Sequence, residues 1–201
     1  MSDTKLVWID LETGGLAGRL ENGQLGMHYY PIFEIAVIIT DINLNQIGDP
    51  LAISIFQPES EIRKSNDFAL KMHTESGLID RVGRSKISLA DAENAIIDYL
   101  KTNGVVAFSR ENGTGSYMAG NSILLDRCFI TCQMPKLDTF LHYRQIDVTS
   151  LTLSFKSQGI EVPLPVKQCR HEALSDIKES IEEFRTLSKA LKTIDLEKIA
   201  S

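Results

Sequence analysis

Basic residues are in deficit: 21 Lys and Arg stand against 27 Asp and Glu, a formal net charge of −6. Binding to long nucleic acid rests on phosphate neutralisation, so an extended basic track is excluded. Aromatic residues make up only 7% of the chain, too few for a stacking platform along a long strand. The three cysteines, Cys128, Cys132 and Cys169, are odd in number and form no CxxC pair. A disulfide framework is therefore not expected. No apolar run approaches the roughly 18 residues of a membrane helix; the best stretch is Ile35 to Ile39. Met1 to Lys5 shows none of the zones of a signal peptide. These absences point to a cytosolic, reduced protein with no membrane partner.

What remains is enough for a core. The 201 residues are 43% hydrophobic, the size of a single domain over 1–201. Lys5 to Asp10 is apolar on both faces before its acidic end, the pattern of a doubly covered central strand. Phe33 to Asp41 and Leu51 to Phe56 predict two more strands. Asn43 to Asn45 and Gly48-Asp49-Pro50 supply turn chemistry between them, which implies an antiparallel meander. Ser88 opens a helix like a capping box, with Ala92, Ala95, Ile96, Tyr99 and Leu100 at helical spacing. Ser116 to Asn121 reads as a strand leading into a helix that carries Leu124, Leu125, Cys128 and Phe129. Glu172 to Leu191 is the clearest helix, with Leu174, Ile177, Ile181, Phe184 and Leu191 in one stripe. The order is that of an α/β, ribonuclease H-like plan: a mixed five-stranded sheet with helices on both faces. Loops near 17–32 and 104–115 are longer than ordinary connections and are expected at the site mouth.

Five residues carry the chemistry. Asp10 and Glu12 lie two apart at a strand end, so both carboxylates project from one face; an isolated D-x-E is also a charged strand end meeting solvent. Asp126 comes about one turn into a helix, where a carboxylate also answers the helix dipole. His171 and Asp176 would diverge by about 140° on one continuous helix. They converge only if His171 lies on the preceding loop, and Val162-Pro-Leu-Pro165 is a suitable irregular approach. Four carboxylates in this order can hold two divalent cations, and a neutral imidazole beside them can accept a proton from water.

Asp10, Glu12, Asp126, His171 and Asp176 together resemble the DEDDh superfamily of 3′→5′ exonucleases. Within it, residues 5–187 are similar to the oligoribonuclease family, through Phe33 to Ile38, His73 to Leu78, His142 to Val148 and His171 to Ile181. The resemblance implies two Mg²⁺ or Mn²⁺ ions held by Asp10, Glu12, Asp126 and Asp176, with His171 as general base. It implies that Leu16 wedges between bases and that His73 contacts substrate near the scissile end. Ser122, Tyr143, Arg144 and Thr149 would grip a 5′-phosphate, Tyr143 and Arg144 acting across a homodimer interface. Such a cap restricts the substrate to short single-stranded RNA, above all dinucleotides, cleaved to nucleoside 5′-monophosphates. The chain departs from the family in its two enlarged loops and in Thr13-Gly14. It also has Thr149 for serine and no tryptophan near Asn66 to Ala69. His28 has no family counterpart and is expected at the surface. Two other readings are a general single-strand exonuclease on longer RNA or DNA, and a silent nucleic-acid-binding module.

Overall fold

The computed structural model describes residues 4–166 and 172–193. Its first half runs β1 (Leu6–Thr13), α1 (Gly26–Tyr29), β2 (Ile32–Thr40), β3 (Gln46–Ser54), α2 (Glu59–Ile62), α3 (Asp67–Glu75), α4 (Leu78–Arg84) and α5 (Leu89–Thr102). β4 (Tyr117–Gly120), α6 (Leu124–Gln133), α7 (Pro135–Phe140), β5 (Gln145–Asp147), α8 (Val148–Ser157) and α9 (Ala173–Thr193) follow. The five strands form one sheet in the order β3-β2-β1-β4-β5. β1 is antiparallel to β2 and parallel to β4, which is itself parallel to β5.

β1 is the central strand, and alternation along it divides the core. Val7 and Ile9 join Ile35, Val37 and Ile39 against α5, α6 and α7. Leu6 and Trp8 join Ala36 and Ile38 against α8 and α9 on the opposite face. Each strand side chain thus reports to one of two helical layers. The expected arrangement, a mixed sheet covered on both faces, is what the chain adopts. Ser88 caps α5 as expected: its Oγ accepts from Asp91 N at 3.1 Å. Ala95 faces outward, and Ile97 takes its place in the core beside Ala92, Ile96 and Leu100.

Several local expectations shift. Gly48-Asp49-Pro50 is not a turn but part of edge strand β3. Pairing jumps there from Val37↔Leu51 to Ile39↔Ile47, so these three residues bulge out opposite Ile38. Gly48 takes φ +69°, which glycine adopts at little cost, and Pro50 has no N–H for a ladder to lose. The stripe on α9 ends at the buried Leu187, while Leu191 is exposed. Short helices α1 to α4 and α7 have too few turns to announce themselves by periodicity.

The long loops are ordered. Within 17–32, Arg19 bridges Leu25 and α1 follows. Gln133 Nε2 donates to the carbonyls of Met27 (2.8 Å) and Tyr30 (2.9 Å), which clamps this excursion onto α6. Within 104–115, Ser109 bridges Thr114, and Phe108 packs edge-on against His142 and Tyr143, with ring centroids at 4.7 and 5.5 Å. That loop therefore props the His142–Tyr143 segment. Among the described residues, no helix is long and apolar enough to cross a membrane.

The seam between β1 and α9 matters most for the chemistry. Trp8 donates from Nε1 to Thr40 Oγ1 at 3.0 Å and meets Phe184 edge-on at 5.7 Å. This contact sits two residues before Asp10 and two helical turns after Asp176. Phe184→Ala should cost about 2 kcal/mol, less than a fully buried phenylalanine because this one is partly exposed. Urea unfolding checks this; a loss under roughly 0.5 kcal/mol would mean that α9 is seated by other contacts.

Candidate active site

Three carboxylates converge at the end of β1, past its last pairing with β4. Oxygen atoms of Asp10, Glu12 and Asp176 all lie within 4.8 Å of one another. The strand supplies two of them from one face, as its two-residue period demands. The third comes from the first turn of α9, which begins at Ala173. Asp126, in the first turn of α6, stands beside this trio rather than inside it. Its Oδ1 accepts from the Leu11 backbone N at 2.9 Å, which ties the helix to the strand between the two acidic positions. His171 lies outside the described residues.

Electrostatics set the site apart from an ordinary charged strand end. Burial, then the neighbouring charges of Asp126, Glu12 and Asp176, push the Asp10 carboxyl well above its usual range. Burial, and then Asp176, Glu34 and Asp126, raise Glu12 from 4.5 to about 8. Burial raises Asp126 to about 7, against the opposing hydrogen bond from Leu11 N. Desolvation and like-charge repulsion act in the same direction here. Glu34 pairs directly opposite Glu12 across the β1–β2 ladder and is itself buried. It accepts from Ser54 Oγ at 2.7 Å and from Arg81 Nη2 at 3.4 Å, and the Arg81 charge partly relieves Glu12.

Acidic oxygens gathered away from water suit hard divalent cations. An octahedral Mg²⁺ site needs oxygens about 2.0–2.1 Å from the ion, so its ligands stand ~3–4 Å apart, close to the spread seen here. The donor set is all oxygen, the choice of Mg²⁺, Ca²⁺ or Mn²⁺ rather than softer metals.

The remaining expected residues fall into three places. Leu16 is 69% exposed, so it is not core. It rims a cavity of about 450 Å³ lined also by Glu12, Gly15, Asn66, Phe68, Met72 and His73. Phe68 is 74% exposed on the same rim, a residue that sequence reasoning passed over while noting that its segment lacks tryptophan. His73 is buried beneath this floor: its Nε2 donates to Thr13 O at 3.0 Å, and its Nδ1 faces Glu12 Oε2 at 3.8 Å. It braces the acidic strand end from below while reaching the cavity wall. Gly14 and Gly15 serve internal packing, since a Cβ would crowd Ser65 Oγ at one and the Tyr30 ring at the other.

Ser122 and Thr149 meet at 3.2 Å between their hydroxyls. Tyr143 and Arg144 form a separate exposed pair, the guanidinium 5.4 Å from the ring centroid, with the Tyr143 ring stacked on His142 at 4.5 Å. His28 is exposed on α1, its Nε2 3.6 Å from Cys132 Sγ.

A β-β-β-α-β-α-β-α chain that brings acidic groups from β1 and α9 together beside one from α6 is the arrangement of a nuclease domain. The chain belongs to the Exonuclease family, whose model matches residues 7–184. Among its relatives is an oligoribonuclease of Rhodococcus jostii, 41% identical over 92% of this chain and 86% of the relative. The oligoribonuclease of Francisella tularensis is 38% identical over 96% of this chain and 99% of its own length. A probable oligoribonuclease of Caenorhabditis elegans is 36% identical over 94% and 90%. Among solved structures, exonuclease I of Methylocaldum szegediense superposes with a TM-score of 0.67 at 16% identity. The match covers 94% of this chain and 41% of that one, and so speaks to the ribonuclease H-like fold.

The raised carboxyl groups have a pH consequence whose sign is fixed. Above about 4.5 an unfolded chain releases the Glu12 proton, whereas the folded metal-free protein keeps it until about 8. The unfolded state then binds fewer protons, so metal-free stability falls with rising pH across that window. Divalent metal competes with those protons, so its affinity rises over the same range. Thermal unfolding in chelator should show a midpoint that declines toward pH 8, with a larger Mg²⁺-induced gain at pH 8 than at pH 5.5. A Mg²⁺ gain independent of pH would contradict this electrostatic account.

Proposed function

We propose that this chain is a metal-dependent 3′→5′ exoribonuclease that hydrolyses very short oligoribonucleotides, dinucleotides above all, to nucleoside 5′-monophosphates. The observation that carries the reading is the convergence of Asp10, Glu12 and Asp176 within 4.8 Å, with Asp126 anchored alongside by Leu11 N. The relatives bearing the name oligoribonuclease, at 36–41% identity over nearly the whole chain, point to the same substrate class.

In this reading, Asp10, Glu12, Asp126 and Asp176 hold two divalent cations, Mg²⁺ or Mn²⁺, and His171 takes a proton from the attacking water. When bound, the cations activate that water and stabilise the leaving 3′ oxygen. Leu16 and Phe68 flank the cavity beside Glu12 and receive the terminal bases, with His73 beneath them. Ser122, Thr149, Tyr143 and Arg144 grip the 5′-phosphate. A terminal phosphate offers more charge and more free oxygens than a bridging one, so an arginine fork with hydroxyl donors prefers it. That preference, rather than a basic track, explains how an acidic protein handles RNA.

The exposed Tyr143 and the exposed apolar Leu124 and Leu125 support a homodimer in which Tyr143 and Arg144 complete the partner's site. The free thiols of Cys128 and Cys132 fit a cytosolic setting. Sedimentation of the purified protein tests the dimer.

Three measurements test the function. Dinucleotides, a heptamer and a long single strand, each 5′-phosphorylated and each as RNA and DNA, are offered with Mg²⁺ or Mn²⁺. Preference for diribonucleotides is expected; indifference to length would favour a general exonuclease, and no cleavage a binding module. Asp176→Asn should abolish turnover with cooperative unfolding intact, because it removes a metal-binding charge at nearly constant volume; near-normal turnover would rule out the site. Arg144→Ala should cost dinucleotide cleavage about 30-fold, the worth of roughly 2 kcal/mol for a hydrogen bond to a charged group. A small chromogenic phosphodiester should be cleaved almost as before. Equal losses on both would reject a role in gripping phosphate.

A further inference from the structure

A polar lattice runs through the otherwise apolar seam joining β4, α8 and α9. Asn121, just after β4, donates from Nδ2 to Ser180 Oγ and to Glu183 Oε2, both at 3.0 Å. Its Oδ1 accepts from Thr149 Oγ1 at 3.3 Å. Both amide hydrogens and the carbonyl are therefore engaged by three different residues on two helices. Ser180 Oγ in turn donates to the Asp176 backbone carbonyl at 2.9 Å, one turn earlier on α9. On the other side, Thr149 Oγ1 accepts from Ser122 N at 3.0 Å. Ser122 takes φ +47°, a left-handed conformation that a residue with a side chain adopts only when its surroundings impose it.

Ser180 and Glu183 are 6% and 5% exposed. A buried carboxylate such as Glu183, which also receives Thr152 Oγ1 at 2.9 Å, is costly to place away from water. Apolar side chains would fill the seam at less expense. What the polar version adds is geometry: hydrogen bonds fix separation and angle where apolar contacts permit sliding.

We propose that Asn121 is a positioning residue that locks the first turn of α9, and with it Asp176, to the Ser122–Thr149 hydroxyl pair. The metal-binding end of α9 then moves as one body with this pair, in which Thr149 Oγ1 donates to Asn121 Oδ1 and the Ser122 hydroxyl keeps its proton for the 5′-phosphate. The span between phosphate and scissile bond is held constant, which is the distance a dinucleotide-length preference depends on. This inference rests on the reading of Asp176 as a metal ligand and of Ser122 and Thr149 as phosphate-gripping groups.

The test titrates Mn²⁺ into wild-type, Asn121→Ala, Ser180→Ala and Glu183→Gln proteins by calorimetry without substrate. It also compares kcat/KM on a diribonucleotide with and without its 5′-phosphate. Asn121→Ala should weaken Mn²⁺ binding about 10-fold, the size of effect seen when an outer hydrogen-bond partner of a metal ligand is lost. It should also diminish the preference for the 5′-phosphorylated substrate. Ser180→Ala severs the branch from Asn121 through Ser180 to Asp176 but leaves the bond from Thr149 to Asn121 Oδ1, so Mn²⁺ binding should weaken while the phosphate preference persists. Glu183→Gln keeps an acceptor oxygen for Asn121 and should stay close to wild type on both readouts. A merely structural role would lower the active fraction alone. An Asn121→Ala protein with an unchanged Mn²⁺ midpoint and unchanged phosphate preference overturns the proposal. Should that variant fail to fold, the Mn²⁺ midpoint of Ser180→Ala decides, an unchanged value counting against it. If Asp176→Asn is inactive while these variants behave as wild type, only this inference fails; if Asp176→Asn is active, the site reading beneath it fails.

Discussion

The crowding of half-buried carboxyl groups at the end of β1 is the constraint around which this molecule is organised. Asp10, Glu12 and Asp176 lie within 4.8 Å of one another, with Asp126 and Glu34 close behind. No isolated segment would hold such a group together, because each acid loses hydration and gains like-charged neighbours. The sheet and its two helical layers supply the restoring force. Trp8 against Phe184 seats α9, Leu11 N holds Asp126, and His73 braces the strand end under Glu12. The fold thus holds protons on acids gathered at one point, which a divalent cation would displace.

That arrangement reconciles an acidic chain with a nucleic-acid substrate. Affinity for polymers comes from many phosphate contacts, which a net charge of −6 does not favour. Under the proposed function, the site would meet its substrate through cations at one end and a few donors at the other, and would need no such track. Its reach would then be set by the distance between the two ends, and chain length would become the property it reads.

Much of this was legible from residues alone. The Asp10-Leu-Glu12 spacing fixes two carboxylates on one face because a strand alternates sides. The β-branched run of Phe33 to Asp41 and the cap at Ser88 fixed their elements for similarly local reasons. The turn expected at Gly48-Asp49-Pro50 failed because the same residues serve a bulge on an edge strand, and only the partner strand distinguishes the two. The Asn121 lattice was invisible because the residues Asn121 bonds lie 28 to 62 positions away from it, and none belongs to a recognisable pattern. Phe68 was passed over for a related reason: an exposed aromatic declares itself only when the cavity beside it is known. The two enlarged loops read only as long connections, and Gln133 and Phe108 tie them down through contacts that no local signal encodes.

The bulge on β3 has a bearing on assembly. A free sheet edge ordinarily invites another strand to continue the ladder, but here Gly48-Asp49-Pro50 interrupts the row of donors and acceptors. At the opposite margin, β5 is only three residues long. Neither border offers a long unbroken run of backbone, so strand-to-strand growth between copies is disfavoured at both margins. Any contact between chains would then fall to side chains, whose chemistry can be selective where backbone pairing is not.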